Sequence, residues 1–221
     1  MKNTTTVEQA RFNMIEQQIR PWEVLDAGVL GVLAELRRED FVPAAYRALA
    51  FFDTEVPLPE GQSMLAPKVE ARLLQELHLT GSERVLEVGT GSGFMAALLA
   101  KQAREVVTVE CRPALAALAR ENLARAGIRN ARVVDGDGSH GLAKEAPFDA
   151  IVMSGSVAEV PPTLLAQLKP GGRLVAIVGQ EPVMRALLVT QAAPGQFKRV
   201  ELFDTVAPRL DGFAEPARFT F

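Results

Sequence analysis

One stretch constrains the fold of this chain more than any other. The run Val85-Leu86-Glu87-Val88 passes without a spacer into Gly89-Thr90-Gly91-Ser92-Gly93, and helical spacing of apolar residues resumes over residues 94–101. A short β-branched run reads as a strand, and a glycine turn between strand and helix bends the backbone sharply while leaving room for a ligand where a Cβ would collide. The alternation continues downstream. Residues 106–109 read as a strand, 113–126 as a helix closed by Gly127, and 131–134 and 148–153 as strands. A short helix follows Pro161-Pro162, then a Pro170-Gly171-Gly172 turn and a strand over 173–178. Strands joined through helices run parallel, so the expected class is α/β, with a doubly wound, mostly parallel, Rossmann-like sheet.

The flanks differ from this core. Val7, Phe12, Met14, Ile15 and Ile19 predict an amphipathic helix stopped by Pro21, and Asp26 suits the cap of a second helix carrying Val29, Leu30, Leu33 and Leu36. Pro57, Pro59 and Pro67 forbid a regular helix over 52–67 and predict an extended loop; from Pro67 a helix resumes with Val69, Leu73 and Leu77 on one stripe. Beyond Pro182, residues 186–190 and 197–206 flank Ala193-Pro194-Gly195-Gln196 as an antiparallel hairpin at the sheet edge. The 221 residues, 48% apolar and 23% charged, suit one folded domain. Its expected parts are a helical cap and substrate loop (1–66), a cofactor-binding core (67–180) and a C-terminal β addition (181–221).

Charge and composition narrow the partners. A net charge of −3 gives no basic excess for phosphates, so no nucleic-acid partner is expected. A lone cysteine, Cys111, forms no internal disulfide, and two histidines beside it predict no metal site. No apolar run approaches the ~18 residues a bilayer requires, so no membrane partner is expected and the protein reads as cytoplasmic.

The glycine turn separates two nucleotide classes. A dinucleotide fingerprint wants Gly-x-Gly-x-x-Gly or Ala, and its third slot is here Phe94, whose ring obstructs close approach to a pyrophosphate. Gly89-x-Gly91-x-Gly93 after the acidic Glu87 instead resembles the first motif of class I S-adenosylmethionine-dependent methyltransferases. Glu110, at the end of the next strand, lies near the ~20-residue offset at which a carboxylate accepts ribose hydroxyls. The resemblance implies that S-adenosyl-L-methionine is the cofactor. Glu87 would meet its methionine end, Gly89, Thr90, Gly91 and Gly93 would approach it through backbone, and Glu110 would hold the ribose. Asp137, with Gly138 in the loop after the third strand, would meet the adenine. Ser154 and Ser156 follow the fourth strand, where acceptors meet the methyl in this fold.

Further motifs point to one family. Met14-Ile15-Glu16-Gln17-Gln18, Phe41-Val42-Pro43, Gly61-Gln62, residues 85–94, Gly136-Asp137-Gly138, Phe148-Asp149-Ala150-Ile151 and Gln167-Leu168-Lys169-Pro170-Gly171-Gly172 together resemble the protein-L-isoaspartate O-methyltransferases, over about 14–179. The resemblance implies a cytoplasmic, often monomeric enzyme. Its reaction transfers a methyl group to the α-carboxylate of isoaspartyl residues in damaged proteins or peptides, which opens repair through a succinimide. A carboxylate is already nucleophilic and a sulfonium already activated, so alignment and exclusion of water suffice without a dedicated base.

The chain departs from the family at one frame. Where relatives read Gly-Gln-Thr-Ile-Ser-x-Pro, with the serine beside the reacting carboxylate, residues 61–67 read Gly61-Gln62-Ser63-Met64-Leu65-Ala66-Pro67. Leu65 stands at the serine position and donates no hydrogen bond. Two readings follow. Either Ser63 supplies the hydroxyl, with Lys68 attracting the anionic acceptor, or the pocket takes an unknown small acceptor. A third reading, a cofactor-binding protein without repair activity, differs from both in consuming no cofactor.

Overall fold

The computed structural model describes residues 6–215. Helix α1 (Val7–Met14) begins at Thr6, whose side chain accepts the Gln9 amide, and does not run unbroken to Pro21. It widens into a π turn over Ile15–Ile19 and tightens into a 3-10 turn over Arg20–Trp22, which ends at Glu23 in the left-handed region. Asp26 caps α2 (Ala27–Glu35) by accepting the Val29 amide, as its short acidic side chain predicts. The proline-rich segment is more ordered than a plain extended loop: β1 (Val56–Pro57) and β2 (Ser63–Met64) pair across a turn at Pro59–Gly61. Pro67 opens α3 (Pro67–Glu76), where a missing N–H costs nothing.

The core then alternates through β3 (Arg84–Val88), α4 (Phe94–Gln102), β4 (Glu105–Glu110), α5 (Pro113–Arg125), β5 (Ala131–Asp135), β6 (Phe148–Val157), α6 (Pro162–Leu165) and β7 (Leu168–Gln180). The antiparallel β8 (Val183–Ala193) and β9 (Gln196–Thr205) complete a seven-stranded sheet in the order β5-β4-β3-β6-β7-β8-β9. Its first five strands are parallel. The chain leaves β3 toward β4 and β5, then returns to the other side of β3 with β6. The crevice beyond the carboxyl ends of β3, β4 and β6 is therefore a topological switch point, where open α/β sheets bind ligands.

Strand alternation sends neighbouring residues to opposite faces. Val85 packs with Val106, Ala150 and Val175 in one core cluster, and Leu86 with Ile151 and Leu174 in another. The first cluster also takes Met14, Ile19 and Leu33, so the N-terminal helices share the core of the sheet. A buried ion pair crosses this contact: Arg38 meets Glu70 of α3, donates to the Leu65 carbonyl at 2.8 Å and lies over the Phe94 ring at 4.7 Å.

Two irregularities differ from the sequence reading. The Pro170-Gly171-Gly172 turn is a bulge inside β7, because residues on both sides still pair with β6, from Phe148↔Leu168 to Ala150↔Arg173. Strand β6 continues past Met153 to Val157 through a second register shift between Val152 and Ser156. After β9 the chain returns to this shifted end. The Ser156 amide donates to the Pro208 carbonyl at 2.7 Å, and the Leu210 amide to the Ser156 carbonyl at 2.9 Å. The end of the proposed C-terminal addition, residues 216–221, lies outside the described residues. Among those described, no helix is long and apolar enough to cross a membrane, and no group of three or more His, Cys, Asp or Glu is placed to hold a metal.

Candidate active site

Glu87 is the next-to-last residue of β3, flanked in register by Thr108 of β4 and Val152 of β6, and is fully buried. Its Oε1 accepts the Ser154 hydroxyl at 2.7 Å, while Oε2 has no partner. Burial pushes the carboxyl up to about 8; the Thr108 and Ser154 hydroxyls pull it down, and the Glu70 and Glu110 charges add to the rise. A buried polar oxygen without a partner costs about 1–3 kcal/mol.

The turn after β3 folds as its glycines dictate. Gly89 has φ 90°, and a Cβ there would fall 2.5 Å from the Leu210 side chain. Gly93 has φ 83°, caps α4 and lies where a Cβ would press on the Ala119 backbone at 3.3 Å. Glu110, buried at the end of β4, receives the Gly91 amide on Oε2 at 2.9 Å and the Arg112 amide on Oε1 at 3.0 Å. One carboxylate thus ties the glycine turn to the adjacent strand end. Gly138 is packed so closely that a Cβ would lie 2.6 Å from Val88 Cγ1, whereas Asp137 is exposed and accepts the Ser139 amide at 2.8 Å.

Two compartments meet here. The outer is lined by Gly89, Gly91, Glu110 and Gly138 together with Leu210 and Phe213. The inner is lined by Leu65, Glu70, Glu87, Thr90 and Phe94. Ser63 and Ser154 line both, and so stand at the junction. Ser63 donates to Glu55 at 3.3 Å, and burial raises the Glu55 carboxyl while that bond lowers it.

The fold gathers most of the residues singled out in the sequence, but not all. The Thr90 hydroxyl turns inward to Thr108 at 2.6 Å. Lys68 lies outside both compartments: its Nζ is 2.6 Å from Asp53 and 4.0 Å from the Trp22 ring centroid, so its charge is already matched. Ser156 is fully buried and donates to the Ala207 carbonyl at 2.7 Å, which makes it an anchor for the returning chain rather than a wall of the pocket. Sequence reasoning missed Glu70, Arg112 and residues 210–213. Glu70 carried a usable signal, a charge on the same helical stripe as Leu73, Leu74 and Leu77. The C-terminal residues carried none, since nothing local shows that the chain doubles back.

Known proteins resemble this chain along most of its length. The family model for Protein-L-isoaspartate(D-aspartate) O-methyltransferase (PCMT) matches residues 9–205. A protein-L-isoaspartate O-methyltransferase of Koribacter versatilis is 43% identical over 194 residues, 88% of this chain and 87% of the relative. One of Myxococcus xanthus is 46% identical over 180 residues, covering 80% and 85%. Among solved structures, a protein-L-isoaspartate O-methyltransferase superposes with a TM-score of 0.80 at 25% identity, over 94% of this chain and 66% of that one. A Plasmodium falciparum chain of the same description, solved with S-adenosyl-L-homocysteine, gives a TM-score of 0.76 at 21% identity and covers 92% and 97%.

Proposed function

This chain belongs to the protein-L-isoaspartate(D-aspartate) O-methyltransferase family, and we propose that it performs the family's reaction through the carboxylates and glycines gathered at the ends of β3, β4 and β6. It is an S-adenosylmethionine-dependent methyltransferase whose acceptor is the carboxylate of isoaspartyl residues. The observation that carries the site assignment is the buried, unpartnered Oε2 of Glu87 beside a glycine turn. A ligand with an ammonium at one end and a ribose in the middle fits this donor and acceptor set: Glu87 would receive the ammonium, Glu110 the ribose hydroxyls, and Asp137 at the rim the adenine amine. Gly89, Gly91 and Gly138 offer the approach that side chains would block, while Gly93 and Thr90 hold the turn.

The bound cofactor supplies an activated methyl group. The protein's task is then to orient the acceptor and keep water away. Leu65, Phe94 and Met95 give the inner compartment apolar walls. In this reading Ser63, turning from its 3.3 Å bond to Glu55, steers the acceptor carboxylate at the junction and takes the part of the hydroxyl that Leu65 lacks, while Ser154 keeps its proton on Glu87. Lys68, matched by Asp53, is left out of the acceptor assignment. A damaged protein or peptide is the proposed partner and the cytoplasm the proposed setting.

The test is transfer of labelled methyl to an isoaspartyl peptide, with its aspartyl counterpart as control. Transfer to the isoaspartyl peptide alone is expected, and Ser63→Ala should lower kcat/KM about ten- to a hundredfold, the loss of one well-placed donor. Undiminished activity in Ser63→Ala would remove that residue from the assignment; no transfer by the wild type would remove the acceptor reading.

A further inference from the structure

One buried acid in the inner compartment has no part in the site described so far. Glu70 lies in the first turn of α3, directly after the acceptor loop, and is 3% exposed. Helical spacing sets it on the buried face with Leu73, Leu74 and Leu77, where a carboxyl is costly unless something holds it. Arg38 Nη1 meets only its Oε2, and the second arm of the guanidinium, Nη2, goes to the Leu65 carbonyl at 2.8 Å. The pair is neutral as a whole. Oε1 accepts no hydrogen bond from the described residues, and Glu70 lines the compartment that also holds the unpartnered Oε2 of Glu87. The two acids are close enough for the Glu70 charge to raise the Glu87 carboxyl. Like charges placed together repel, and a single cation between them relieves the repulsion. Ser92, Phe94 and Met95 bring the start of α4 into the same compartment, and the N-terminal amides of a helix favour an anion. Acceptors for an ammonium thus stand beside donors for a carboxylate, the two charges of a free amino-acid group.

We propose that Glu70 is a second carboxylate for the cofactor's ammonium group, alongside Glu87 in the inner compartment. The inference rests on the cofactor reading above and extends it to a residue outside the strand ends. Ser154 already occupies Oε1 of Glu87, so an ammonium on Oε2 has two further N–H groups to place, and Glu70 Oε1 takes one of them. Arg38 acts as a positioning residue, since it fixes the orientation of the Glu70 carboxyl and balances its charge. With Arg38 and Glu70 cancelling, ionised Glu87 leaves one negative charge, which one ammonium neutralises. Because the same guanidinium holds the Leu65 carbonyl, the acid that receives the cofactor is also tied to the acceptor loop.

The experiment is calorimetric titration of two ligands, S-adenosyl-L-homocysteine and methylthioadenosine, which shares the thioether nucleoside and lacks the amino-acid group. Glu70→Gln keeps the shape of the side chain and should weaken S-adenosyl-L-homocysteine about tenfold or more, the loss of one charge-assisted bond, while methylthioadenosine changes by less than about twofold. The double variant Arg38→Met, Glu70→Leu removes the guanidinium with the carboxylate, leaves no unpaired buried charge and should show the same selective loss. Equal weakening of the two ligands, which a purely structural role would give, overturns the proposal, and so does unchanged affinity for S-adenosyl-L-homocysteine in either variant. Wild type that binds neither ligand overturns the cofactor reading itself, and the inference with it.

Discussion

Glu87 joins a burial that favours its neutral form to a task that needs its charge. Its carboxyl is pushed to about 8 by burial, and an ammonium placed against Oε2 would favour the ionised form. Binding at neutral pH must then expel a proton. S-adenosyl-L-homocysteine should therefore weaken as the pH falls below about 8, approaching tenfold per unit, and titrations in buffers of different ionisation heat should report close to one proton released at pH 7. Glu87→Gln should remove both effects together with most of the affinity. For the ligand-free protein the pH dependence is opposite: the folded carboxyl titrates above its ordinary 4.5, so its stabilising contribution is whole below that value and lost as the pH climbs through 8. Thermal unfolding should show Glu87→Gln gaining on the wild type across that window. Glu87 and Glu110 were legible in the sequence because their distance from the glycine turn is fixed by one strand and one helix. The orientations of Lys68 and Ser156 were not, since each is decided by a partner that no motif announces: Asp53, fifteen positions away along the chain, and the returning Ala207.

Elements respond to glycine according to what lies beside it, and two of them separate packing from propensity. Gly138, in the loop after β5, would set a Cβ 2.6 Å from Val88 Cγ1 and 3.5 Å from Val109, at the ends of the two strands that carry Glu87 and Glu110. Gly138→Ala should cost about 1–3 kcal/mol in urea unfolding and weaken S-adenosyl-L-homocysteine, because the overpacked strand ends must shift. Gly31, inside α2, has nothing within 4 Å of its absent Cβ. Gly31→Ala should stabilise by about 0.5–1 kcal/mol, the gain in helix propensity alone. The strand and helix rhythm from β3 to β7 was readable since each element is short, apolar and punctuated by glycine or proline. The bulge in β7 was not, because Pro170-Gly171-Gly172 has the chemistry of a turn whether or not the flanking residues resume pairing with the same neighbour. The π turn over Ile15–Ile19 was equally hidden, since it keeps the apolar spacing of a helix.

At the scale of the whole molecule, the question is whether the N-terminal helices are a separate cap or part of one cooperative unit. Their helical pattern was legible; their docking was not, because it depends on Arg38 finding Glu70 across 32 positions. Both side chains are almost fully buried, and burial lifts the Glu70 carboxyl to about 7 against the pull of the Arg38 guanidinium. Removing one partner leaves an uncompensated buried charge, whereas replacing both with apolar groups removes the desolvation cost as well. Arg38→Met should therefore destabilise by about 3–5 kcal/mol, and the double variant Arg38→Met, Glu70→Leu should recover most of the loss. The single tryptophan reports on the cap: Trp22 stacks edge-on against Phe203 of β9 at 5.5 Å, while far-UV dichroism reports chiefly on the sheet and its helices. With Met14, Ile19 and Leu33 in the same core as Val85 and Val175, the two signals should fall together in urea, in the wild type and in the double variant alike. An earlier tryptophan transition would mean that the cap unfolds by itself, and that the acceptor loop it adjoins has a stability of its own.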